Sequence, residues 1–184
     1  MKFFKIKKIL LFLFFPIKFL QINLKISILL PSKSDLKLAI NAAEVKRIGI
    51  PYGVYIYSYA ENYEEGILYA KFVKKILEKY NLDPTLGIYL DIEWNKIVDH
   101  MKTEQYTEVV NGFMSVLPDA KIYANLTYAN GLLNTTFLRS HITWIAQWNT
   151  TCSYTGYYNM WQFSNSGTIP GIKGNVDLNY YYLD

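Results

Sequence analysis

The chain has 184 residues, enough for one domain of ordinary size with a sizeable buried core. Its net charge of +4 is unevenly spread: of 19 Lys and Arg, seven (Lys2, Lys5, Lys7, Lys8, Lys18, Lys25 and Lys33) lie in residues 1–34, which contain no acid, leaving 12 against 15 Asp and Glu in the rest. The slightly acidic remainder excludes a basic nucleic-acid-binding surface, the single Cys152 excludes an internal disulfide, and the isolated His100 and His141 offer no metal-ligand spacing, so neither metal nor cofactor is expected.

The N-terminal segment, residues 1–34, is hydrophobic and lysine-rich. Its Ile9–Ile17 run follows four lysines, as the apolar region of a signal peptide does. Lys18 interrupts the run, no small-x-small cleavage site follows, and the run falls short of the about 20 apolar residues a transmembrane helix needs. An uncleaved signal-anchor with membrane contact, a degenerate leader and a segment of unrelated origin all fit. Ile22–Leu30 partly alternates (Ile22, Leu24, Ile26, Ile28) and also suits a strand.

From Asp35 the texture is that of an α/β protein. Leu38, Ala42 and Val45 fall at helical spacing between Asp35 and Arg47, and Gly49 and Pro51 stop that helix. Tyr52–Tyr59 reads as a strand with Tyr55, Tyr57 and Tyr59 on one face. Asn62-x-x-Glu65 resembles a capping box opening a helix to about Tyr80, with the stripe Tyr69, Phe72, Val73, Ile76, Tyr80. After the Asp83-Pro84 turn comes a strand through Leu90. A helix from about Thr103 to Leu117 follows, with Gly112 inside it at a cost of ~1 kcal/mol relative to Ala. Lys121–Asn125 is a strand, and a weaker helix lies between Thr127 and Leu138. Trp144–Trp148, Asn159–Phe163 and Asn175–Asn179 complete six strands. Strands alternating with helices imply parallel pairing with right-handed crossovers.

Asp91-Ile92-Glu93 ends the strand after Leu86–Leu90. Residues i and i+2 of a strand share a face, so both carboxylates project together. Two acids that close cannot both ionise freely, and a protonated acid beside an ionised one is the minimum equipment for cleaving a glycosidic bond. A D-x-E triplet also occurs as a solvated strand end. The 17 tyrosines and four tryptophans either fill the core or line a groove for a sugar.

Seven pieces, in order, resemble the Chalaropsis-type lysozymes, glycoside hydrolase family 25. They are Asp35-x-x-Leu38-x-x-Asn41, Gly49–Ala60, Leu90–Glu93, Ile122-Tyr123, Trp144–Trp148, Met160–Phe163 and Gly171–Asn179. The resemblance covers residues 35–184 and implies an α/β fold, an irregular parallel (β/α) barrel of the TIM-barrel type. It also implies hydrolysis of the β-1,4 bond between N-acetylmuramic acid and N-acetylglucosamine in peptidoglycan. Glu93 matches the general acid, Asp91 its partner, and Asp177 the acidic position of the last strand. Tyr55, Tyr123 and Trp148 match aromatic positions near the sugar, Tyr57 shares the face of Tyr55, and Gln162 matches a polar position of the seventh strand. Trp144 and Trp161, by alternation, are read as core. The implied partner is the glycan strand of peptidoglycan, bound by a monomer. The implied location is extracellular or wall-associated if residues 1–34 act as signal or anchor, and otherwise cytoplasmic until lysis.

One departure stands out. The family's first strand carries an Asp in a pattern like D-V-S-x-x-Q-G, and residues 1–34 hold nothing similar. The first two barrel strands are therefore absent or replaced, which would leave two exposed edges unless residues 1–34 supply substitutes. The missing acid predicts impaired catalysis. A non-catalytic wall-binding protein, or an inactive remnant, is the competing expectation.

Overall fold

The computed structural model describes residues 40–41, 43–44, 46–47, 49–94, 96–168 and 174–182, together with the backbone of residues 9–14 and 21–24. The predicted helical stripe Leu38, Ala42 and Val45 lies outside the described residues, as does the Gly171–Lys173 part of the last motif. The strands are β1 (Ile9–Phe14), β2 (Gln21–Leu24), β3 (Tyr52–Tyr57), β4 (Ile88–Ile92), β5 (Lys121–Asn125), β6 (Ile142–Ala146), β7 (Met160–Gly167) and β8 (Val176–Tyr181). Between them lie the helices α1 (Tyr63–Lys79), α2 (Thr103–Met114), α3 (Leu126–Asn130) and α4 (Thr136–His141).

The eight strands close into a barrel in the order β1-β2-β8-β7-β6-β5-β4-β3. From β3 to β7 all pairings are parallel, as the alternation of strands and helices predicts. The last strand departs from that expectation: β8 runs antiparallel to β7. Only residues 168–175 join the two, whereas a parallel crossover needs a dozen or more residues. The places of the two unrecognised strands are taken by β1 and β2. They pair antiparallel with each other, β1 against β3 and β2 against β8, so neither β3 nor β8 is left as an open edge.

Period-2 alternation divides the side chains into two layers. Val54, Ile56, Leu90, Ile92, Ile122, Ala124, Ile145 and Trp161 face outward into the core shared with the helices. Tyr55, Tyr89, Tyr123, Trp144, Ala146 and Met160 fill the barrel interior. In α1 the Asn62 side chain accepts from the Glu65 amide at 3.0 Å, as a cap should, while the Glu65 carboxylate reaches back to the Glu61 amide at 2.9 Å. Helices α1 and α2 cross in backbone contact. A Cβ on Gly112 would overlap the Tyr63 carbonyl, and one on Gly66 would overlap the Val109 carbonyl. The helix-weakening Gly112 is thus a packing requirement.

Candidate active site

The C-terminal ends of parallel barrel strands form one mouth, and β4 carries the acid pair to it. Asp91, on the inward face, is only 4% exposed. Its backbone is in register with Tyr57 on one side and Tyr123 on the other. Glu93 stands just past the end of β4 and is half-buried. Because β8 runs antiparallel, its N-terminal end lies at this same mouth, which is where Asp177 sits.

Three of the predicted aromatic and polar residues join Glu93 in a hydrogen-bonded row. The Tyr123 hydroxyl lies 3.0 Å from Glu93 Oε1 and 3.3 Å from Gln162 Oε1. The indole Nε1–H of Trp148 donates to the same Gln162 Oε1 at 2.9 Å. Tyr123 and Gln162 are buried, whereas the Trp148 ring is 62% exposed and forms a rim wall. Beneath them Trp144 is the floor. Its ring meets Tyr55, Tyr89 and Tyr123 edge-on at centroid distances of 5.7, 5.3 and 4.7 Å, and its indole N–H donates to Asn179 Oδ1 at 2.8 Å.

The three acids act electrostatically on the buried phenols. Burial pushes the Tyr55 phenol well above its ordinary range, and the negative charges of Asp91, Asp177 and Glu93 push it further in the same direction. Tyr123 is raised by burial, then by the charges of Glu93 and Asp91. Both phenols therefore stay neutral and keep an O–H to donate. Tyr57 belongs to the rim: its hydroxyl donates to the Trp94 carbonyl at 3.1 Å and its ring packs 4.9 Å from Tyr59.

Trp144 and Trp161 are both buried, on opposite sides of the barrel wall. Two features escaped the sequence reading. Asn179, fully buried under Trp144, shares the inward face of β8 with Asp177 and would have followed from the period-2 pattern. Trp94 is 58% exposed immediately after Glu93, and no local signal marks it. Among the described residues, no group of three or more His, Cys, Asp or Glu is arranged to hold a metal ion.

Comparison with known proteins bears on the family and the fold. The model of the family described as Glycosyl hydrolases family 25 matches residues 32–172. The modular autolysin LytC from Streptococcus pneumoniae, solved in complex with a synthetic peptidoglycan ligand, superposes with a TM-score of 0.75 at 28% identity; the match covers 82% of this chain and 38% of the autolysin. The spore cortex lytic enzyme SleM of Clostridium perfringens gives a TM-score of 0.66 at 21% identity, over 79% of this chain and 54% of SleM. A bacterial lysozyme from Streptomyces coelicolor gives 0.63 at 20%, over 82% and 76%. At those identities the last two speak for the fold alone. The chain thus spans well under half of the pneumococcal autolysin, and no curated protein sequence matches it. With the family model covering most of its length, the chain belongs to glycosyl hydrolases family 25.

Proposed function

We propose that the protein is a peptidoglycan-cleaving glycoside hydrolase, an N-acetylmuramidase acting on the β-1,4 bond between N-acetylmuramic acid and N-acetylglucosamine. The observation that carries the reading is the Tyr123–Glu93 hydrogen bond beside the buried Asp91, at the mouth of a closed barrel in a chain of this family. Glu93 gives its proton to the glycosidic oxygen as the C–O bond breaks, so the leaving sugar departs as an alcohol; water then adds to the anomeric carbon, and the proton it gives up restores the acid. Asp91 and Asp177 supply negative charge against the positive charge that develops on the sugar ring. The neutral Tyr55 and Tyr123 hydroxyls orient its polar substituents, and the Trp148 ring face stacks on its C–H surface. A peptidoglycan ligand in the pneumococcal autolysin structure supports the same substrate class here.

The test is release of reducing sugar from purified peptidoglycan. Glu93→Gln should abolish it while leaving the circular dichroism spectrum unchanged; a Glu93→Gln protein as active as the wild type would end the proposal. Turnover is expected to fall below that of a relative with a first-strand Asp, since residues 1–34 bring no carboxylate to the mouth.

That same lack of an acid favours a second reading, a non-catalytic wall-binding protein. It predicts retention on peptidoglycan without cleavage, indifferent to Glu93→Gln and weakened by Trp148→Ala.

A further inference from the structure

We propose that Gln162 is a positioning residue that decides which way the Tyr123 hydroxyl points, with Trp148 locking the Gln162 amide in place. The proposal rests on the hydrolase reading for its catalytic meaning.

An indole N–H can only donate, so the Gln162 atom that faces Trp148 at 2.9 Å must be the carbonyl oxygen. That oxygen also stands 3.3 Å from the Tyr123 hydroxyl, whose other neighbour is Glu93 Oε1 at 3.0 Å. A phenol carries one proton and faces two acceptors here, so it serves one at a time. When Glu93 is ionised, Tyr123 donates to it. When Glu93 is protonated, its O–H donates to the Tyr123 oxygen and the Tyr123 proton turns to Gln162. The row Glu93–Tyr123–Gln162 then runs in one direction, each bond polarising the next. Gln162 thereby stabilises the proton-bearing acid that the reaction consumes. Once Glu93 has given its proton to the glycosidic oxygen, the Tyr123 O–H swings back to the new carboxylate. No proton leaves Tyr123 in this cycle; its hydroxyl only rotates.

Among the described residues, the titratable groups whose charge acts on this row are Asp91 on β4 and Tyr55 on β3; Asp177 on β8 acts on Tyr55, and Tyr57 on β3 lies in register with Asp91 at the rim. Their charges are common to the variants below, so the comparison isolates the relay. Removing the Gln162 oxygen leaves Glu93 as the acceptor for Tyr123 among the described residues, which favours the carboxylate. Trp148→Phe has the same effect by another route. Without the indole N–H the amide is no longer held, and its NH2 is able to donate to the Tyr123 oxygen, turning the phenol proton onto Glu93. Tyr123→Phe removes the donor and favours the protonated acid.

The experiment is a carbon-13 titration of the Glu93 side-chain carboxyl in the full chain, assigned by its loss in Glu93→Gln. Gln162→Met and Trp148→Phe should each lower the Glu93 midpoint by about half to one pH unit, the size of one modest hydrogen bond, and Tyr123→Phe should raise it by a similar amount. A structural role alone would not move the midpoints in opposite directions. Midpoints that stay with the wild type, or that all move the same way, overturn the proposal. If Gln162→Met fails to fold, Trp148→Phe decides, because its ring is mostly in solvent. Reducing-sugar release is measured alongside. Opposite shifts in a protein that releases none would remove the hydrolase reading and leave the relay standing. Release that depends on Glu93, with unmoved midpoints, would do the reverse.

Discussion

Gly112→Ala separates a local from a tertiary view of the same residue. Judged as part of a helix, the change should stabilise by ~1 kcal/mol, because Ala is the better helix former. The crossing of α1 and α2 reverses the sign. The new Cβ would overlap the Tyr63 carbonyl and press on the Ile67 amide, and both are backbone atoms that no rotamer change can move aside. Overpacking of this kind costs about 1–3 kcal/mol, occasionally more, and the overlap here puts it at the upper end, so a net loss of about 1–2 kcal/mol remains after the propensity gain. For a chain of this length that lowers the melting temperature by roughly 2–8 °C. Urea unfolding followed by circular dichroism reads the effect as a lower midpoint at unchanged slope. Gly66→Ala, which meets the Val109 carbonyl from the other helix, should behave alike. A Gly112→Ala protein with a raised urea midpoint would show that the helices do not touch there, and the close crossing would have to be abandoned.

Two further outcomes are expected. Trp144→Phe keeps most of the barrel floor but strands the Asn179 oxygen without its donor, at a cost of about 1–3 kcal/mol in the same urea assay; a loss within 0.5 kcal/mol, roughly that of an ordinary surface change, would mean that the bond carries nothing. The alkaline limit of stability should reflect Tyr55 and Tyr123. Their folded-state phenols titrate above the ordinary value near 10, so the stability they confer is intact below that pH and is lost as pH rises beyond it toward the folded-state values. Tyrosinate absorbance should therefore show a fraction that ionises only as the fold is lost. Complete reversible titration near pH 10 in the folded protein would contradict their burial.

Much of the molecule is written in local patterns. The apolar stripes of α1 and α2, the Asn62 cap and the six strands from Tyr52 onward are each specified by residues within a turn or two of one another, and elements of that kind can be recognised without a fold. Period-2 alternation likewise put Asp91 and Glu93 on one face, and with them the core of the proposed site. Helix ends were less legible: the expected helix between Thr127 and Leu138 is two short ones, α3 and α4, the second capped by Thr135.

What the local patterns could not decide is everything that depends on which strands become neighbours. Closure of the barrel by β1 and β2 is a pairing between segments about 40 residues apart from β3 and more than 150 from β8. The reversed direction of β8, which brings Asp177 to the mouth, follows from a short connection rather than from the strand's own residues. The orientation of the Gln162 amide is set by an indole 14 residues away and a phenol 39 residues away. Chain sequence specifies side-chain periodicity and caps because those are contacts between near neighbours. Convergence of acids, phenols and indoles from β3, β4, β5, β7, β8 and the loop after β6 exists only once the sheet has closed and desolvated its interior.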